Sequence, residues 1–141
     1  MGVKIKGAAE AKKKLDVLIG NIQTKKAVRA VYTALFIVGA ESATMTPRDT
    51  SALINSQYRD IDIVGAKILG KVGYSIDYAL AVHESKGSSL GKHIPRPVDN
   101  GQVAGSRGNY WDPTGEPKFL SKAVANTDRQ VREAIKKEME L

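Results

Sequence analysis

The sequence predicts a single α+β domain, with a long N-terminal helical segment and a C-terminal helix packed on a small antiparallel sheet. Three observations predict it. Apolar residues recur at three- and four-residue steps near both ends of the chain, from Ala8 to Val38 and from Leu120 to Ile135. Between them the period falls to two on either side of Gly65, which marks a β-hairpin. The chain has 141 residues, of which 42% are hydrophobic, enough for one core.

Taken in order, Val3 and Ile5 alternate with Lys4 and Lys6 as a short half-buried strand that ends at Gly7. Ala8, Ala11, Leu15, Leu18 and Ile22 then share one helical stripe, with Lys12, Lys13 and Lys14 mostly off it on a solvated face. Gly20-Asn21 weakens a helix by about 1 kcal/mol relative to alanine and marks the place where a break or kink is expected. The pattern resumes with Val28, Val31, Leu35 and Val38. Tyr32, Phe36 and Ile37 widen this stripe until the helix is apolar on most sides, so it needs cover from the chain's own sheet or from a neighbouring subunit. Pro47 bars its predecessor from helical geometry, so the helix should stop near Thr46.

The stretch from Thr46 to Glu84 joins the two helical halves. Asp49, Thr50 or Ser51 is expected to cap a short turn or helix over residues 52–56. Residues 58–63 and 67–74 read as two strands turning at Gly65. One face carries Ile61, Ile63, Ile68, Val72 and Tyr74, and the other is wetted by Asp and Lys. Over 78–84, Tyr78, Leu80 and Val82 alternate around small Ala79 and Ala81, a pattern that suits a strand and a short helix equally.

Residues 86–116 form a long glycine-rich loop, expected to be flexible, with almost no apolar periodicity. Loops of that length tend to be functional or disordered. Lys86, Lys92, Arg96 and Arg107 make it basic, and Tyr110 and Trp111 are large rings suited to anchoring it. Pro117 then suits the first turn of the last helix, whose stripe runs Leu120, Val124, Thr127, Val131, Ile135 and Glu138, widened by Phe119, Ala123 and Ala134.

Composition limits the function classes. Lys and Arg number 22 against 15 Asp and Glu, a net charge of +7 that draws the chain toward nucleic acid or an acidic protein surface. Cysteine is absent, which excludes disulfides and thiolate metal sites. The start lacks a signal-peptide core and no apolar run reaches membrane-span length, so a soluble, non-secreted protein without membrane contact is expected. His83-Glu84 lacks the second histidine of a zinc-protease helix, and His93 is the only other histidine. Neither a phosphate-binding glycine loop nor a serine nucleophile elbow is present. We expect no enzyme, metal or cofactor.

Four pieces then stand in a familiar order. Val3-Lys4-Ile5-Lys6-Gly7 opens the chain, and Pro47-x-Asp49-Thr50-x-x-Leu53-x-x-Ser56 follows the long helix. Tyr78-Ala79-x-x-Val82-His83-Glu84 comes next, and Gly115-x-Pro117-Lys118-Phe119-Leu120-x-x-Ala123 opens the last helix. Nearly the whole chain thereby resembles the minor capsid, tail-component and neck proteins of long-tailed double-stranded DNA bacteriophages. It departs from them at Ser51, where glycine is favoured, at Ile54, where a basic residue is common, and at Ser85, where glycine often stands. The resemblance implies a homo-oligomeric ring, a hexamer or dodecamer, at the head-tail junction of the virion, assembled in the host cytoplasm. DNA would pass through its channel, and its neighbours would be portal or adaptor, tail-tube and tail-terminator proteins. Lys86, Lys92, Arg96 and Arg107 would meet DNA or acidic subunits, while Tyr110 and Trp111 anchor the loop. Pro47, Asp49, Thr50, Tyr78, Ala79, His83, Glu84, Phe119 and Leu120 would carry the shared structural motifs. The rival readings are a stand-alone basic nucleic-acid-binding domain and a hydrolase acting through His83 and Glu84.

Overall fold

The computed structural model describes residues 7–140, so the strand expected at Val3 to Ile5 lies outside the described residues. Its axis is α1, Ala8–Met45, an unbroken helix of 38 residues. Thr46 leaves helical geometry with ψ at 124°, as the following Pro47 requires. The break expected at Gly20-Asn21 does not occur. One glycine lowers propensity by about 1 kcal/mol but leaves the hydrogen-bond ladder intact, and the Thr24 hydroxyl donates to the Gly20 carbonyl at 2.9 Å.

Helix α4, Phe119–Met139, runs antiparallel along the C-terminal half of α1. Three contacts set the register: Asn126 to Glu41, Glu138 to Arg29, and the Glu140 carbonyl to Lys26. Pro117 lies before the helix rather than in its first turn, because Lys118 at the N-cap takes a left-handed backbone with φ 55°. The buried face is centred on Phe119, Ala123 and Thr127, so Val124, expected on the stripe, points to solvent. Small side chains let α4 approach α1 closely, and the larger Val124 falls to the rim.

Strands β1, Gln57–Val64, and β2, Lys67–Tyr74, form the expected antiparallel hairpin. Gly65 turns it with φ 60°, a conformation that glycine adopts without steric cost. The register pairs Ile61 with Gly70 and Ile63 with Ile68, placing the predicted apolar set on one face. That face meets α1, where a Cβ on Gly70 would stand 2.6 Å from a Val31 methyl. On the outer face Lys71 Nζ donates to Asp62 at 3.0 Å.

Two short helices complete the core. Helix α2, Ala52–Asn55, contributes Leu53, and α3, Ala79–His83, contributes Ala79, which settles the 78–84 stretch as helical. The expected side-chain cap on α2 is absent: Ser51 caps it through its backbone, with φ 66°, and the Asp49 carboxylate is engaged elsewhere. Met45, Leu53, Ala79, Phe119 and Ala123 form the buried cluster, with Val38, Tyr74, Ile76, Val82 and Leu120 against it. The Tyr74 hydroxyl fastens the hairpin to α1. It lies 2.8 Å from the Ser42 and Thr46 hydroxyls and accepts from Gln57 Nε2 at 2.9 Å.

Candidate interaction surfaces

The turn after α1 and the glycine-rich segment together build one open cleft of about 640 Å³. Pro47, Arg48, Asp49 and Thr50 form one wall, Tyr78 and Val82 another, and Arg96 with Asn109 to Pro113 a third. The segment lies over this turn. Pro95 and Asn109 form an antiparallel bridge, flanked by hydrogen bonds of 2.9 Å from the Arg96 amide to the Gly108 carbonyl and from the Tyr110 amide to the Ile94 carbonyl. Residues 97–107 are therefore a distal lobe on a two-stranded neck.

Four contacts strap that neck to the core. Arg96 pairs with Asp49 at 2.7 Å, the Arg48 amide donates to Asp112 at 2.8 Å, the Glu116 amide donates to the Met45 carbonyl at 2.7 Å, and the Lys118 amide donates to the His83 carbonyl at 2.7 Å. Burial opposes ionisation of Asp112, but the Thr114 and Arg48 amides and the Thr114 hydroxyl outweigh it and hold its carboxyl below the ordinary carboxylate value. Trp111 is half-buried and donates its indole N–H to the Gly115 carbonyl at 2.7 Å, while Tyr110 beside it stays exposed. The four loop cations divide accordingly. Arg96 is spent on the strap, Arg107 donates to the Pro97 carbonyl and lies 4.0 Å from Asp99, and Lys86 and Lys92 face solvent.

His83 and Glu84 sit at the start of α4. His83 packs edge-on against Phe119 with ring centroids 5.1 Å apart, and its Nδ1 is 2.9 Å from Glu84 Oε1. Its Nε2 then faces the first turn of α4, 3.5 Å from the Ser121 amide nitrogen and 3.4 Å from the Ser121 hydroxyl. Ser121, Tyr74, Asp112 and Arg48 are the partners that sequence reasoning missed. The order Ser121, His83, Glu84 is that of a nucleophile, base and orienting acid. Here, however, the serine amide competes for the same ring nitrogen, and Glu84 is exposed. The imidazole meets the free amides of a helix N-terminus, a capping geometry.

A second surface is the N-terminal half of α1. Residues 8–25 are exposed throughout, Leu15, Leu18 and Ile22 among them. Because α4 ends beside Lys26, these residues project about 27 Å beyond the body at 1.5 Å per residue. Tyr32 and Phe36 are also exposed, with the Arg59 guanidinium 5.1 Å from the centre of the Phe36 ring. Among the described residues no third strand pairs with either edge of the hairpin, no helix is long and apolar enough to cross a membrane, and no acidic or histidine cluster has metal-site geometry. Comparisons with protein-family models, with curated proteins and with solved structures find no match.

Proposed function

We propose that the protein is a structural virion component of the neck of a long-tailed double-stranded DNA bacteriophage. In this reading it is one subunit of an oligomeric ring, a hexamer or dodecamer, that completes the head-tail junction and lets DNA pass. Portal or adaptor proteins on one side and tail-tube or tail-terminator proteins on the other would be its neighbours. The observation that carries the reading is apolar surface that a single copy leaves uncovered: Leu15, Leu18, Ile22, Tyr32 and Phe36 along α1. Among the described residues both edges of the hairpin are open, which adds a place for a neighbour's strand. Contacts of that kind, repeated head to tail, close rings. Lys86 and Lys92 carry the charge offered to DNA or an acidic subunit, while Arg107 lies 4.0 Å from Asp99 within the lobe and Arg96 acts through Asp49 to hold the lobe in place.

The test replaces residues 98–106 by two glycines, which shortens the lobe beyond its hydrogen-bonded neck. Expected are a normally folded protein and phage lysates of unjoined heads and tails. Infectious particles in normal yield would overturn the lobe's role, and absence of the protein from purified virions would overturn the reading. A stand-alone nucleic-acid-binding domain predicts instead that the free monomer binds DNA with affinity falling steeply between low and physiological salt.

A further inference from the structure

The projecting half of α1 carries a seam that fits a copy of itself, and we propose that two copies pair through residues 8–25 as an antiparallel two-helix contact. Ala8, Ala11, Leu15, Leu18 and Ile22 follow steps of three and four in strict alternation, the a and d positions of a heptad. All five are exposed. At 3.6 residues per turn, this seam lies on roughly the opposite side of α1 from Leu35, Gly39, Ser42 and Met45, and about a quarter-turn round from Ala30, all of which the body buries. Closing the seam therefore leaves the body's own packing undisturbed.

Its chemistry selects the occupant and the direction. With Leu15 of one copy opposite Leu18 of the other, Ala11 faces Ile22 and Ala8 faces the aliphatic stem of Lys25. Small residues thus oppose large ones along the seam, as close packing requires. In this register the flanking Lys14 lies across from Asn21 rather than from another lysine. A parallel pair would place Lys25 on Lys25 and Arg29 on Arg29 at seam positions, with both helix dipoles aligned. The overlap is only about 27 Å long and one helix face wide, too small for the ~1,200 Å² and more that stable interfaces bury. The contact is accordingly weak, with monomer and dimer exchanging at micromolar or higher concentration. It is twofold, whereas a ring closes through head-to-tail contacts; because both use Leu15, Leu18 and Ile22, the pair is the state of the free protein, and its failure in solution leaves the neck reading standing.

Sedimentation of the full chain across a concentration series tests it. Wild-type protein should shift from monomer to dimer, and Leu18→Asp, at an exposed position, should stay monomeric with an unchanged unfolding transition of the body. Because the chain has no cysteine, direction can be read by crosslinking. Ala11→Cys mixed with Ile22→Cys should give the mixed disulfide in large excess over either self-disulfide. A wild-type monomer at every concentration, an undiminished Leu18→Asp dimer, or a predominance of self-disulfides would overturn the proposal.

Discussion

Leu35 and Leu18 lie on one helix and are chemically identical, yet Leu35 is 8% exposed and Leu18 is 56% exposed. The C-terminal half of α1 is enclosed by the hairpin and α4, and its small residues, Ala30, Gly39 and Ser42, let those elements come close. The N-terminal half has the cleaner heptad and, among the described residues, nothing against it. As an extension of a helix already nucleated in the body it incurs no nucleation cost, but it lacks the tertiary packing that supplies most helical stability in proteins. The contrast shows that a regular apolar stripe does not by itself decide whether the chain's own elements cover it.

The comparison can be broken most forcefully at the core. Phe119→Ala beneath the enclosed half should cost about 3–5 kcal/mol in urea unfolding, whereas Leu18→Ala in the bare half should change monomer stability by less than about 0.5 kcal/mol. Similar losses at both sites would erase the distinction between the halves. Tyr74→Phe is a finer probe of the enclosure. It removes the oxygen shared by Ser42, Thr46 and Gln57 and should cost about 1–3 kcal/mol, because buried polar groups lose their partner.

The smallest effect concerns the strap. Since the folded state lowers the Asp112 value, its contribution is present above the ordinary carboxylate value of about 3.9 and is lost as pH falls through the lowered one. Trp111, the single tryptophan, should therefore report a loosening of the neck by fluorescence below about pH 4, and Asp112→Ala should show the loosened signal at neutral pH. An acid response unchanged in that variant would assign the transition to other carboxylates.

Much of this fold was legible because it is periodic. The hairpin's extent, its turn at Gly65 and the face shared by Ile61, Ile63 and Ile68 follow from alternation alone, and Pro47 places the end of α1. What escaped depends on partners distant in sequence. Asp49 is expected as a local cap but pairs with Arg96, and no local pattern marks Ser42 and Thr46 as partners of the Tyr74 hydroxyl. Gly20 looked like a break, yet a single propensity loss is too small to interrupt a long helix. In the glycine-rich segment Asp112-Pro113-Thr114-Gly115 carried a readable turn signal. The bridge from Pro95 to Asn109 left no local trace, since the residues beside it lack strand periodicity.

Amide hydrogen exchange along α1, measured in dilute and concentrated protein, tests most directly whether a single copy leaves this helix half-finished. The account predicts slow exchange over residues 30–45 at every concentration and fast exchange over 8–25 in dilute protein, slowing as copies associate. Uniformly slow exchange along the whole helix in a dilute monomer would contradict it.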